Sequence, residues 1–275
     1  MVLPPIPNVA ACDIRGASPS SRELAHLDLD RRLTEIHGLL LTGGSAFGLA
    51  SADGVMSWLE ERGVGYETAT ATVPIVPAAV IFDLAQAKGR VRPGPEQGRA
   101  ACEAATERDI PTGRVGAGTG ATVGKWAGLE HASAGGLGLA ALPTRRALVA
   151  ALAVVNSVGD VVAADGSVLA GTRAPQGRRE GPAAGEPELP SSTVLALVAT
   201  DARLDKRDVR WLAARGADGI TISVRPAHTR YDGDVVFAVS AGAQIARGPD
   251  LDELGRVATE AVAGAVRAAV GGPGV

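Results

Sequence analysis

The chain reads SSTVLALVATD over residues 191–201, where a cluster of hydroxyl side chains runs directly into an apolar segment. The composition of residues 194–200 is typical of a buried β-strand. A hydroxyl at the start of such a strand is positioned by the backbone, and cleavage of the preceding peptide bond would give it an adjacent α-amine as a base. Because Ser and Thr are also common in turns, the cluster can equally be the turn that precedes the strand.

Apolar residues elsewhere recur at the spacing of helices or of strands. Asp205 is a candidate N-cap for one of the helices. The predicted helices span residues 48–63, 95–108, 205–215 and 250–270. The predicted strands span residues 39–42, 147–156, 194–200, 219–224 and 235–240. This mixture of strands and helices predicts a layered α/β or α+β fold.

Composition limits the class of protein. The 275 residues are 46% hydrophobic and 3% aromatic, so we expect one large domain, residues 1–275, with a core of Ala, Val and Leu. A formal net charge of −3 gives no basic surface for nucleic acid or for an anionic membrane. The sequence shows no signal peptide and no run of membrane-spanning length, so we expect a cytoplasmic protein.

Residues 171–190 are rich in Pro, Gly and charged side chains and contain little that could be buried. This composition predicts a mobile surface loop. The loop can be an ordinary linker or the exposed tail that remains upstream of a processing site. The sequence leaves both possibilities open.

Seven segments, taken in order, carry a resemblance to one family. They are DIRGA at 13–17, HGLLLTGGSAFGL at 37–49, VPIVPAAVIFDL at 73–84, GRVGAGTGA at 113–121, VVNSVGD at 154–160, VATDA at 198–202 and HTRYDGD at 228–234. The set resembles the self-processing aminopeptidases and amidases of peptidase family S58, which include D-/L-aminopeptidase-esterases, β-aminopeptidases and nylon-oligomer hydrolases. The resemblance implies a four-layer α-β-β-α sandwich, a homo-oligomer of four or more subunits, and chemistry that needs no metal or organic cofactor.

The resemblance implies that Thr193 is the nucleophile, because it precedes VATDA at the family's spacing. Self-cleavage between Ser192 and Thr193 would then give an α chain of residues 1–192 and a β chain of residues 193–275. The freed α-amine of Thr193 would accept the proton of its hydroxyl. Ser192 departs from the Asn or Gly usual in the family at this position, and it remains a second candidate nucleophile.

Two further residues match family positions near the nucleophile. Lys125 would lower the pKa of the hydroxyl or the amine and hold developing negative charge, although a lysine here can also be an ordinary surface residue. Asn156, at the end of a strand-like run, would donate its amide to the oxyanion, although Asn is also a common turn residue.

Asp232 and Asp234 resemble two acids of the nylon-oligomer hydrolases, which would orient the ammonium group and support the lysine. Alternate residues of an extended strand point to the same side, so both carboxylates can reach one pocket. The segment Asp-Gly-Asp is equally a turn signal. Phe82 falls where relatives have a tyrosine of the substrate pocket.

The sequence therefore predicts an amidohydrolase or aminopeptidase that acts on a small peptide or amide substrate. One alternative is a relative that has lost hydrolysis and serves as a binding or assembly protein. A weaker alternative is a nucleotide-binding protein, because residues 116–121, GAGTGA, satisfy the dinucleotide-binding pattern.

Overall fold

The computed structural model describes residues 1–175, 191–245 and 249–271. Four α-helices lie in these ranges: α1 (Ser51–Glu60), α2 (Pro95–Glu103), α3 (Lys206–Ser223) and α4 (Pro249–Ala268). The strands are β1 (Val9–Ile14), β2 (Ser21–Arg22), β3 (Leu40–Thr42), β4 (Tyr66–Glu67), β5 (Thr72–Val73), β6 (Ala78–Val80), β7 (Thr122–Val123), β8 (Ser133–Ala134), β9 (Gly136–Pro143), β10 (Leu148–Asn156), β11 (Asp160–Val162), β12 (Val168–Ala170), β13 (Thr193–Arg203), β14 (Val224–Arg225) and β15 (Val235–Ile245).

Strand β13 is the centre of the main sheet, as its continuous apolar sequence predicts. The sheet has five strands in the order β1-β15-β13-β10-β9. β13 pairs antiparallel with β10 and parallel with β15. In this register Thr193 lies opposite Asn156, and an isolated parallel bridge links Ser192 to Asp232. The pairing therefore brings three distant segments to the amino end of β13.

Both faces of β13 are covered, which explains why the strand lacks a polar face. Val194, Ala196 and Val198 belong to a buried cluster with α3 and α4. Leu195 and Leu197 face the other way, into a second cluster with residues of β3 and β6. A third cluster joins these two short strands to α1 and α2.

The strand predicted at residues 219–224 is wrong, because α3 continues to Ser223 and only Val224–Arg225 are extended. Ile220 and Ser223, three residues apart, are buried while Ile222 is 46% exposed, so burial in this segment follows the spacing of a helix and not the alternation of a strand. Gly219 permits close packing, because a Cβ there would meet the Thr259 carbonyl of α4 at 2.5 Å. Asp205 caps α3 as predicted, accepting the Asp208 N–H at 2.9 Å.

Two other expectations meet the structure differently. Residues 116–121 form a short 3-10 turn (Gly116–Gly118) followed by β7, and no α-helix begins there, so the Rossmann arrangement is not formed. Of the predicted loop, residues 176–190 lie outside the described residues. Its first residues are bonded to the body of the protein, since Ser133 Oγ donates to the Gly171 carbonyl at 2.6 Å and Arg173 N–H donates to the His131 carbonyl at 2.8 Å.

Among the described residues, every helix is too short or too polar to cross a membrane.

Candidate active site

Six of the seven residues proposed from the sequence meet at the amino end of β13. All six are polar, and each is no more than 4% exposed: Lys125, Asn156, Ser192, Thr193, Asp232 and Asp234. Buried polar groups are costly unless they are paired, so this concentration needs a compensating network of hydrogen bonds. The chemical character of the site follows from that network.

The peptide bond between Ser192 and Thr193 lies inside the network. Its carbonyl oxygen, on Ser192, accepts the N–H of Gly233 at 2.8 Å. Thr193 Oγ1 donates to the same oxygen at 2.5 Å. The hydroxyl therefore lies directly against the carbonyl group that it would attack, and a fixed backbone donor already points at the oxygen where negative charge would develop.

Lys125 reaches the same point from the loop after β7. Its backbone N–H donates to the Val158 carbonyl at 2.8 Å. Nζ contacts the Asn156 carbonyl at 3.0 Å, Asn156 Oδ1 at 2.9 Å and Ser192 Oγ at 3.1 Å. An ammonium group has three protons, and here it has three acceptors.

Burial lowers the pKa of Lys125 to about 7, against the opposing effect of the negative charges of Asp232 and Asp83. Both oxygens of Asn156 can only accept, so a neutral amine would keep those two bonds and accept the third from the Ser192 hydroxyl. The contact with the hydroxyl is therefore the one that can change direction when Lys125 loses its proton.

Asn156 holds the lysine in place. Its Oδ1 also accepts the Thr122 N–H at 3.0 Å, and its Nδ2 donates to the Phe82 carbonyl at 3.0 Å. One amide proton is thus used on Phe82, while the backbone donor at Ser192 is Gly233. The predicted donation from Asn156 to an oxyanion stays a prediction.

The two carboxylates have separate partners. Asp234 Oδ1 accepts the N–H of Val194, the residue after the proposed nucleophile, at 2.6 Å. Asp232 accepts Thr229 N–H at 2.9 Å, Thr229 Oγ1 at 2.6 Å and Val158 N–H at 3.3 Å. Burial, together with the nearby charge of Asp234, raises the pKa of Asp232.

His228, noted above only as part of the HTRYDGD segment, is also a member of this site. Its Nδ1 lies 2.7 Å from Asp234 Oδ2, and its Nε2 lies 3.1 Å from Thr221 Oγ1 and 3.3 Å from the Ala217 carbonyl. Burial lowers the pKa of His228, but the hydrogen bond and charge of Asp234 outweigh it, so the pKa lies above its usual value. Asp234 thus favours the protonated form of the histidine that lies behind it.

The DIRGA segment supports the turn that contains both acids. Arg15 N–H donates to the Asp234 carbonyl at 2.7 Å, and Ser18 N–H donates to the Asp232 carbonyl at 3.1 Å. Gly16 has φ +80°, and a Cβ there would collide with the Asp232 carbonyl. A Cβ on Gly233 would collide with the Ser18 carbonyl. These contacts explain why glycine is needed in both segments.

A surface cleft of about 410 Å³ leads toward the lysine. It shares Asp83, Gln86 and Gly120 with a small cavity of about 20 Å³ that Lys125 and Phe82 also line. Phe82, the seventh proposed residue, is 36% exposed and stands at this cavity. Lys125 lines the small cavity but not the cleft, and Thr193 lines neither, so the hydroxyl is enclosed in the intact chain.

Among the residues that the structure describes, no three His, Cys, Asp or Glu side chains are grouped so that they could hold a metal ion. Cys12 and Cys102 are both buried and free.

Solved structures share this architecture. A β-aminopeptidase from Burkholderia sp. matches with a TM-score of 0.73 and 18% identity over 95% of this chain and 73% of that chain. The L-aminopeptidase D-Ala-esterase/amidase from Ochrobactrum anthropi, described as a variant of the Ntn hydrolase fold, matches with a TM-score of 0.72 and 18% identity. The match covers 96% of this chain and 73% of that chain. The chain is thus a mixed α/β protein with the fold of the Ntn-hydrolase-type aminopeptidases.

Sequence relatives define the family. An uncharacterized aminopeptidase of Mycobacterium bovis is 40% identical over 258 aligned positions, which cover 88% of this chain and 73% of the relative. A 6-aminohexanoate-oligomer endohydrolase of Paenarthrobacter ureafaciens is 31% identical over 217 positions, covering 74% and 60%. The model of peptidase family S58 matches residues 2–272. The chain belongs to peptidase family S58 and is a hydrolase of peptide or amide bonds, which confirms the family and the activity class predicted from the seven segments.

Proposed function

We propose that this protein is a self-processing aminopeptidase or amidase in which Thr193 is the nucleophile, first toward its own chain and then toward a small peptide or amide. The observation that supports this most is the Ser192 carbonyl, which is held between the Thr193 hydroxyl and the Gly233 N–H. A nucleophile and an oxyanion donor thus meet at one buried carbonyl.

In self-cleavage, Thr193 Oγ1 attacks the carbonyl carbon of Ser192. A C–O bond forms, the C–N bond of the peptide breaks, and the hydroxyl proton is transferred to the departing nitrogen, which becomes the α-amine of Thr193. Water then hydrolyses the resulting ester, which releases the Ser192 carboxylate and regenerates the hydroxyl. Gly233 N–H stabilises the oxyanion in both steps.

In turnover of a substrate, the α-amine of Thr193 accepts the hydroxyl proton as the oxygen attacks the amide carbonyl. The amine product leaves with that proton, and water hydrolyses the acyl ester. Lys125 supports the reaction because its pKa of about 7 allows it to give or take a proton near neutral pH.

The remaining residues act by positioning. Asn156 fixes the lysine through two oxygens. Asp234 binds the N–H of Val194 and so fixes the backbone beside the nucleophile. Asp232, whose charge acts on Lys125, holds the loop at Thr229. We assign Phe82 to the wall of the substrate cavity, where its ring replaces a phenol.

We infer a four-layer α-β-β-α arrangement from the three buried clusters, which lie between α3 and α4 and the main sheet, between the two sheets, and between the short strands and α1 and α2. The single domain, the homo-oligomer and the cytoplasmic location stay predictions from the sequence.

The proposal is tested with Thr193→Ala. We expect this variant to remain one chain and to lose hydrolysis of amino-acid amides, whereas Thr193→Ser retains both reactions because it keeps a hydroxyl. Thr200→Ala is a matched control, since Thr200 is a buried threonine at the opposite end of the same strand and bonds to the Leu148 carbonyl at 2.9 Å. The assignment would be refuted if Thr193→Ala were cleaved into two chains as the wild type is and hydrolysed amides at the wild-type rate.

A further inference from the structure

Ser192 is completely buried, although it belongs to the chain that would end at the processing site. Its N–H donates to the Tyr231 carbonyl at 2.8 Å, its carbonyl accepts from Gly233 at 2.8 Å, and its Oγ lies 3.1 Å from Lys125 Nζ. The preceding residue, Ser191, is exposed. The protein thus encloses Ser192, the residue on the acyl side of the bond, while the described residue before it, Ser191, is exposed to solvent.

Self-cleavage and substrate turnover pass through the same chemical species on the protein. In both, an acyl group is attached as an ester to Thr193 Oγ1, and in both the ester is hydrolysed by water. During processing the acyl group is residue 192, and during turnover it is the acyl residue of the substrate. In both reactions the ester is attached to Thr193 Oγ1 and its carbonyl oxygen faces the Gly233 N–H. The acyl side chain therefore points in the same direction during processing and during turnover.

We propose that the enclosure around Ser192 is the acyl subsite of the processed enzyme, and that it selects amides whose acyl residue has a small side chain with a hydrogen-bonding group, as in serine. This inference rests on the proposed function. The N–H or amine of that residue takes the place of the Ser192 N–H on the Tyr231 carbonyl. A longer chain beyond it is accepted, because the path leads to solvent at Ser191.

Lys125 is the residue that binds the side chain of the acyl residue. Two of its three donors are held by the Asn156 oxygens, and the third is directed at the Ser192 hydroxyl. When residues 1–192 end at a free carboxylate and withdraw, this third donor loses its partner. A substrate hydroxyl restores the bond whether it accepts from the ammonium or donates to the neutral amine, whereas a methyl group leaves this position of the buried amino group without a partner, which costs about tenfold in rate.

The size of the subsite follows from its burial. Because Ser192 has no exposed surface, a side chain as large as leucine must displace Lys125 or the walls around it. We therefore expect the order serine, then alanine, then leucine for the acyl residue. The same order should govern processing when residue 192 itself is changed.

The experiment compares two sets of rates. One is kcat/KM of the processed enzyme for the seryl, alanyl and leucyl 4-nitroanilides, each of L configuration and each offered both with a free amine and with an N-acetyl group. The other is the rate of chain cleavage in the wild type, Ser192→Ala and Ser192→Leu, followed by intact mass after cell-free synthesis. Ser191→Leu is the matched control, because its side chain is exposed and its substitution should leave cleavage unchanged.

The inference predicts about a tenfold advantage of serine over alanine in both sets, with leucine slowest in both. With Thr193→Ala inert, the inference is overturned by any of three results: the alanyl substrate equals or exceeds the seryl substrate, the leucyl substrate equals the seryl substrate, or the order of residues differs between turnover and cleavage. Failure of the proposed function looks different, because Thr193→Ala would then match the wild type in cleavage and in activity. A wild-type chain that neither cleaves nor hydrolyses any anilide overturns both.

Discussion

Lys125 is a buried amine whose charge costs free energy in the folded protein. Its pKa falls from an ordinary value of 10.5 to about 7 because of burial. Between these two pH values the unfolded chain binds more protons than the folded chain, so the free energy of unfolding rises with pH over this window. The lysine therefore links the chemistry of the site to the stability of the fold.

This linkage gives a first prediction. In a Thr193→Ala background, which keeps the chain in one piece, the lysine should add about 2 kcal/mol of stability between pH 7 and pH 9, and Lys125→Met should lack that increment. Urea unfolding at both pH values measures the difference. An identical pH dependence in the two proteins would contradict a depressed pKa for Lys125.

His228 gives a second prediction. Its cation stabilises Asp234, so the pair contributes stability below the unfolded pKa of histidine, and the contribution is lost as pH rises through the raised folded pKa. His228→Gln keeps a donor for Asp234 but cannot titrate. We expect kcat to fall about tenfold. In the pH–rate profile, the loss of activity at alkaline pH that is caused by deprotonation of His228 should disappear.

The control for His228 is Thr221→Val, which removes one partner of Nε2 and leaves the bond to Asp234. Two other charged groups bear on this pair: Arg15, which lowers the pKa of His228, and Asp232, whose own pKa is raised by the charge of Asp234. A pH–rate profile of His228→Gln that coincides with the wild type would show that the histidine only supports the fold.

At the scale of elements, the turn between Asp232 and β15 presents the Gly233 N–H to the Ser192 carbonyl. Gly233→Ala places a Cβ against the Ser18 carbonyl and must shift the turn. We predict that cleavage slows at least 100-fold, as expected for the loss of an oxyanion donor. Gly94→Ala is the matched control, with φ −129° and its nearest neighbour at 3.5 Å. If Gly233→Ala were cleaved at the wild-type rate, the Gly233 N–H would be excluded as the oxyanion donor.

The sequence predicts elements whose signal is local. β13 is recognisable from its apolar run, and the cap of α3 from Asp205. Residues 219–224 are mispredicted because five or six residues contain too little periodicity to separate a helix from a strand. The hydroxyl cluster at the start of β13 is visible in the sequence itself, but the roles of Lys125 and Asn156 could be proposed only through family resemblance, since they meet Thr193 by tertiary packing.

Two features of the site have no sequence signal of their own. The donor at Gly233 is a backbone N–H, which any residue except proline has, and its direction depends on contacts with residues 15–18. The role of His228 depends on where α3 ends, because its ring packs between Asp234 and Thr221. Such roles become visible only when the chain is folded.

At the scale of the whole molecule, cleavage before Thr193 would not separate the two chains. β13 and β15 would belong to the shorter chain, yet β13 pairs with β10 and β15 pairs with β1 of the longer chain. Helix α4 also packs on β9 and β10. The main sheet and its core would therefore be built from both chains.

We predict that the two chains of the processed protein copurify under native conditions and separate only in denaturant. When the longer chain carries an affinity tag at residue 1, the shorter chain, residues 193–275, should be captured with it and should coelute with it in size-exclusion chromatography. Loss of the shorter chain from the tagged one without denaturant would contradict the shared sheet.

The most direct test of the central claim is the intact mass of the freshly purified protein, with N-terminal sequencing of each fragment. We expect two chains, the shorter beginning Thr193-Val194-Leu195. A fragment that begins at Ser192 would move the nucleophile to that residue. A single chain that stays uncut for days would contradict self-processing at Thr193.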